Sequence, residues 1–162
     1  MKIRTVLTFA CTFAALVSTG CKKNNNTNHA NINSISATLN GVNWQSQYTA
    51  GIAPTSNSFI FLYGYFVNPG DTSVIELDIP DSIQVNDPDP FYGSTASYTK
   101  SDGTFYLVDN FFGGHGTITV TLKDTNIHRI AGTFSGVFYN TENGKDSIQI
   151  GNGRFNTSYF AE

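Results

Sequence analysis

Apolar and polar residues alternate one by one along most of the chain from Ile32 onward. In Thr117–Lys123, Ile118, Val120 and Leu122 share one face of an extended chain, and Thr117, Thr119 and Thr121 share the other. Ser73–Ile79 sets Ile75, Leu77 and Ile79 against Glu76 and Asp78. Ile148 with Ile150, and Phe155 with Thr157 and Tyr159, repeat the pattern near the end. A period of two belongs to strands with one buried face and one wet face, the habit of antiparallel sheets. No window sustains the i, i+3, i+4, i+7 spacing of an amphipathic helix.

Turn chemistry punctuates these runs. Asn40-Gly41, Ser101-Asp102-Gly103 and Asn143-Gly144 each sit between alternating segments. Asn-Gly is the dipeptide of a type I′ hairpin, whose two central residues both need positive φ. The spacing predicts about nine strands, near 34–39, 42–49, 58–67, 73–79, 94–100, 104–109, 116–123, 130–139 and 146–160, the last with a candidate break at Gly151-Asn152-Gly153. So many half-polar strands in one body must close or stack to hide their apolar faces. The expected class is therefore all-β, an antiparallel β-sandwich or a lipocalin-like barrel.

Phe59–Val67 (FIFLYGYFV) breaks the alternation by being apolar or aromatic on both faces. It reads either as a central strand buried on both sides or as a strand whose Tyr63 and Tyr65 line a ligand pocket. Trp44, the only tryptophan, reads as a core filler or as a platform for stacking a sugar. Gly132 and Gly136 share a face with Ile130, Phe134 and Phe138, which predicts a bend or room for a ring from the next strand.

The front of the chain follows other rules. Lys2 and Arg4 form a positive start, and Thr5–Val17 is an apolar stretch of 13 residues. As a helix it would span about 20 Å, short of the ~30 Å hydrocarbon core, so it reads as an export signal. Ser18-Thr19-Gly20-Cys21 is similar to a bacterial lipobox, with Ser18 standing where an aliphatic residue is usual. That resemblance implies cleavage before Cys21 and lipidation of its thiol, with two or more acyl chains for stable anchoring. Lys22-Lys23 and the Asn-rich run to Asn31 have nothing to bury and read as a polar tether. Lys rather than Asp after the cysteine, by resemblance to known sorting rules, disfavours retention at the inner membrane and leaves open whether the domain faces the periplasm or the cell surface. The expected organisation is thus signal 1–20, tether 21–31 and one β domain over 32–162.

Charge and cysteine content narrow the function. Residues 24–162 hold five basic against twelve acidic side chains, a net charge of −7. An acidic, charge-poor body lacks the positive face that nucleic acid requires. Cys11 and Cys21 are the only cysteines, so the β domain has no disulfide framework, thiol nucleophile or thiolate metal site.

Two segments resemble the small lipoproteins of unknown function found in Bacteroidota-type bacteria. Ala37-Thr38-Leu39-Asn40-Gly41-Val42-Asn43-Trp44 is similar to their opening. Gly116–Thr121, Ile130–Gly136 and Ile148–Phe155 are similar to their closing signature, leaving residues 55–110 unaligned. The resemblance implies an outer-membrane-anchored all-β domain, lipocalin-like in outline, and no established activity.

Candidate chemistry is sparse. His29 falls in the tether, while His115 and His128 sit near turns with Asp109 and Asp124 not far away. A catalytic pair or two-histidine metal site would need them to converge, and no short His-x-His spacing makes that so. Asp87-Pro88-Asp89-Pro90 offers carboxylates for calcium but lacks a glycine hinge and distal glutamate, so it reads as a solvated loop. No phosphate loop, nucleophile elbow or dinucleotide fingerprint occurs. The expectation is a lipid-anchored, non-enzymatic envelope module with no cofactor, metal or catalytic residue, meeting a glycan, lipid or protein partner. Trp44, Tyr63 and Tyr65 are its candidate ligand-binding residues. A lipocalin-like carrier of a small apolar ligand is the first alternative, and an envelope hydrolase using His115 or His128 the second.

Overall fold

The computed structural model describes residues 33–91, 95–108 and 110–162. The segments expected to be the signal, the lipobox with Cys21 and the tether with His29, together with Asp109, lie outside the described residues. The strands are β1 (Ser34–Leu39), β2 (Val42–Gln45), β3 (Tyr48–Ala53), β4 (Phe59–Asn68), β5 (Asp71–Pro80) and β6 (Pro88–Asp89). They continue with β7 (Thr95–Thr99), β8 (Phe105–Leu107), β9 (His115–Asp124), β10 (Arg129–Asn140), β11 (Ser147–Ser158) and β12 (Phe160–Ala161). The one helical element among the described residues is a 3₁₀ turn at Asn110–Phe112.

All twelve strands form one open, mixed sheet in the order β12-β3-β4-β5-β7-β8-β10-β11-β1-β2. β9 pairs with β10 along the edge that β8 shares, and β6 pairs with β9. Every pairing is antiparallel except β12 with β3. The all-β class expected from the alternation is what the chain adopts. The sheet curls on itself, so that β1 and β2 lie across the core from β4 and β5. A Cβ on Gly64 of β4 would stand 2.9 Å from the Ile35 Cβ of β1 and 3.2 Å from Cη2 of Trp44. The interior is filled by Ile35, Ile60, Leu62, Ile75, Leu77, Ile118, Val120 and Ile130, all fully buried.

Three features raise the count from nine strands to twelve. The run expected over 42–49 divides at a corner, where the Ser46 amide donates to the Ile35 carbonyl and the Gln47 amide to the Tyr65 carbonyl, both at 2.8 Å. There the chain passes from one layer to the other. The run over 146–160 breaks at Tyr159, not at Gly151-Asn152-Gly153. The Tyr159 amide donates to the His128 carbonyl at 2.9 Å, and Phe160–Ala161 swing beside β3. Finally, Pro88–Asp89 makes a two-residue strand against Ile118 and Thr119.

Bulges reset the alternation at two places. In β11 the register slips by one residue against both neighbours around Gly151-Asn152-Gly153, where Asn152 has φ 51°. Ile148 and Ile150 therefore face inward together with Gly153 and Phe155, although the two pairs differ in parity. In β9 the slip falls between Val120 and Leu122. Leu122 is turned to the outer face, 39% exposed, and does not join Ile118 and Val120 in the core as the plain alternation predicts.

Gly132 of β10 makes room for a ring from the next strand, as expected, whereas Gly136 lies against the backbone of His115 and Gly116 in β9. Gly132 lies opposite Phe155, and Phe134 lies opposite Gly153. A Cβ on Gly132 would sit 2.5 Å from the Phe155 Cζ, and one on Gly153 would sit 2.7 Å from the Phe134 Cδ1. Each ring lies over the bare backbone of the other strand.

Candidate functional site

Among the described residues, the two histidines lie at opposite ends of one strand. His115 opens β9 and His128 lies in the turn after its far end, where it takes φ 47°. A ten-residue strand spans about 30 Å, so the two imidazoles cannot share a ligand or substrate. His115 Nδ1 lies 3.2 Å from the Gly113 carbonyl oxygen, and the His128 ring packs 5.5 Å from the Tyr159 ring. Asp124 Oδ1 accepts from the amides of Asn126 and Ile127 and so shapes that turn. Among the described residues no group of three or more His, Cys, Asp or Glu is placed to hold a metal ion.

A second polar cluster is structural in its chemistry. Lys100 Nζ donates to the Tyr106 hydroxyl at 2.6 Å, and that hydroxyl donates to Asp146 Oδ2 at 2.5 Å. The bond to Tyr106 holds the Lys100 ammonium above its ordinary value, and burial holds the Tyr106 phenol above its own. Neither group is available as a base at neutral pH. Together they tie the β7–β8 turn to the β10–β11 turn.

The three residues singled out for ligand binding fall in two places. Trp44 is buried on the inner face, where its Nε1 donates to the Ser73 Oγ at 2.9 Å. Tyr63 and Tyr65 stand on the outer face of β4. The strand that reads as apolar on both sides sends Ile60, Leu62, Gly64 and Phe66 into the core and Phe59, Phe61, Tyr63 and Tyr65 outward, half-buried. Its outer face is a row of rings. The Tyr63 and Tyr65 centroids are 6.4 Å apart with planes 24° from parallel, and those of Phe59 and Phe61 are 6.3 Å apart at 34°.

Neighbouring strands extend this platform. Tyr48 of β3 pairs with Tyr65, Ala50 with Tyr63 and Ile52 with Phe61, while Phe160 of β12 lies beside Ile52. Tyr48 is 65% and Phe160 77% exposed. On the other flank, Glu76 of β5 pairs with Tyr63 and Asp78 with Phe61. Burial, followed by a hydrogen bond to Glu76 and the charge of that carboxylate, pushes the Tyr63 phenol up to about 12. Burial likewise raises the Asp78 carboxyl, against the Thr95 Oγ1 that donates to its Oδ2 at 2.7 Å. The buried Oδ1 of Asp78 has no hydrogen-bond partner among the described residues.

The platform is a flat set of rings edged by acceptors. Sequence reasoning singled out Tyr63 and Tyr65 but missed Tyr48, Phe61, Phe160, Glu76 and Asp78, which reach the same face from β3, β4, β12 and β5. Alternation within Phe59–Val67 carries the signal for Phe61. The others depend on strand pairing, which alternation does not specify. No protein-family model matches the chain, and no curated protein or solved structure matches it.

Proposed function

We propose that the protein is a lipid-anchored, non-enzymatic binding module of the cell envelope, held at the outer membrane through Cys21. Its outer face over β3, β4 and β5 takes a neutral saccharide. The single observation that supports this reading is the aligned row of half-buried rings, Phe59, Phe61, Tyr63 and Tyr65, bordered in register by Glu76 and Asp78. A sugar ring presents an apolar C–H face, which stacks on an aromatic surface, and a rim of hydroxyls, which donate to carboxylates. A bilayer surface suits this face less well, since docking there would strip water from Glu76 and Asp78. An acidic saccharide would meet the same two carboxylates as like charges. The filled interior favours an exterior binding face over an enclosed apolar guest. Kinship with the lipoproteins that the two end segments resemble belongs to this proposal.

The test is affinity electrophoresis of the detergent-solubilised full chain through gels containing neutral glucan, mannan, xylan or galactan. At least one polymer should retard the protein, and replacing both Tyr63 and Tyr65 by Ala should weaken the retardation tenfold or more. Unretarded migration in every gel would refute the reading, and so would a folded double variant that migrates like the parent.

A further inference from the structure

The opposite outer face carries a different chemistry. One register line crosses five strands there: Gln45 of β2 pairs with Ser36 of β1, Ser36 with Arg154 of β11, Arg154 with Thr133 of β10, and Thr133 with Thr119 of β9. Three shallow grooves of about 350, 340 and 300 Å³ meet on this line, and Arg154 lines all three. Their remaining polar lining consists of hydroxyls and amides, with no carboxylate among it. That is notable in a body with twelve acidic side chains after the tether.

Arg154 owes its position to the β11 bulge. Ile148 and Ile150 face inward, so an unbroken strand would turn residue 154 inward as well. The extra residue around Asn152 reverses the parity, burying Phe155 and exposing Arg154. The other arginine of the face, Arg129, spends its Nε on the Asn156 Oδ1 at 2.9 Å. No hydrogen bond or ion pair holds the Arg154 side chain among the described residues.

We infer that this face is a second, separate binding site, at which Arg154 receives the carboxylate of an acidic saccharide and Gln45, Ser36, Thr133 and Thr119 meet its hydroxyls. The planar guanidinium fork matches a carboxylate in two parallel hydrogen bonds. One unpaired cation on the line balances one negative charge, which favours a monoanionic carboxylate over a dianionic phosphate. No carboxylate lines the three grooves, so such a ligand escapes there the repulsion it would meet at Glu76 and Asp78. The hydroxyl and amide groups donate and accept, as the hydroxyls of a sugar require.

Oligogalacturonate and its methyl ester are suitable probes, because they share ring geometry and differ in the free carboxylate. With the detergent-solubilised full chain in calorimetric titration, the free acid should bind at least tenfold more tightly than the ester. Arg154→Gln should reduce binding of the free acid tenfold or more. Arg154→Lys, which keeps the charge but loses the fork, should fall between the two. Trp44 emission reports on folding in each variant. Equal affinity for acid and ester, no binding of the acid by the parent chain, or full binding by folded Arg154→Gln would each overturn the inference. If Arg154→Gln fails to fold, the comparison of acid with ester and the Arg154→Lys variant still decide it. Displacement of the acid by equimolar phosphorylated mannan would overturn the preference for carboxylate.

Discussion

Across the core, the Trp44 indole N–H donates to the Ser73 hydroxyl at 2.9 Å, with both side chains buried. This bond joins β2 to β5, which are far apart in the order of the sheet, and so fixes how the two layers face each other. Ser73→Ala would leave the indole donor buried without a partner, at a cost of about 1–3 kcal/mol. The expected outcome is a lower urea midpoint with an unchanged slope. Trp44 is the only tryptophan, so its emission follows the transition. An unchanged midpoint would mean that the bond contributes nothing net.

The Gly132–Phe155 pair predicts a larger loss. An Ala methyl at 132 would meet the Phe155 Cζ at 2.5 Å and also press on the Thr119 carbonyl oxygen. Backbone on one side and a buried ring on the other leave little room to relax. Gly132→Ala should therefore cost about 3 kcal/mol, the upper part of the range for overpacked cores. Adding Phe155→Leu should recover part of that loss, since the shorter side chain withdraws from the methyl. The backbone contact keeps recovery incomplete. Denaturant midpoints of the single and double variants measure both effects.

Much of this architecture is legible in the residue order. Asn40-Gly41 forms the expected hairpin, with φ of 49° and 82°. The alternation in Ser73–Ile79 and at Ile118 and Val120 correctly assigns their faces. What was not legible depends on pairing between distant segments. The bulge at Thr121 turns Leu122 outward, and nothing in the local alternation records a register slip. Pro88–Asp89 becomes a strand only because β9 lies beside it. The candidate sites share this property. Tyr63 stands out within its own strand, but Glu76 and Tyr48 become its neighbours through β5 and β3. Arg154 reads as one charged residue in a strand until five strands bring Gln45 and Thr119 onto its line.

Tyr63 also gives the molecule an alkaline signature. Its phenol lies at about 12 in the folded chain, against an ordinary value near 10. The folded state thus holds this proton more tightly than the unfolded state. Its contribution to stability is complete below pH ~10 and is lost as pH rises toward 12. Tyr98, Tyr106 and Tyr159 are raised as well, each by burial first, and act in the same direction. Urea midpoints should fall steadily above pH ~10, and Tyr63→Phe should flatten part of that fall. Glu76→Gln removes the neighbouring charge and should lower the Tyr63 transition in an absorbance titration at about 295 nm, leaving the component due to burial.

Asp78 acts at the other end of the scale. Burial raises its carboxyl, and the raised value means that the neutral form is the one the fold prefers. Its contribution to stability is present below the unfolded value, near 3.9, and is lost as pH rises through the folded one. At neutral pH the carboxylate is retained at a cost, with the buried Oδ1 unpartnered. Asp78→Asn keeps an acceptor for the Thr95 hydroxyl and removes the charge. The variant should be more stable than the parent at pH 7, and the advantage should shrink below pH ~4. If Asp78 serves the saccharide face as proposed, the same variant should bind neutral saccharide more weakly, separating its binding role from its cost to folding.

The proposed anchor rests on a single atom, the Cys21 thiol. Each buried CH₂ of an acyl chain is worth about 0.8 kcal/mol, so one chain holds a protein only reversibly and two or more hold it firmly. A Ser at 21 has no thiol to receive a diacylglyceryl group. Lys22 and Lys23 alone would add about 1 kcal/mol each at an anionic surface, too little for stable retention. Cells grown with an alkyne analogue of palmitate should label the parent chain and leave Cys21→Ser unlabelled. The variant should also leave the membrane pellet for the soluble fraction, or stay held by an uncleaved leader that migrates as a heavier species. Labelling that survives the substitution, or a parent chain that never takes up label, would remove the lipid anchor and with it the outer-membrane placement.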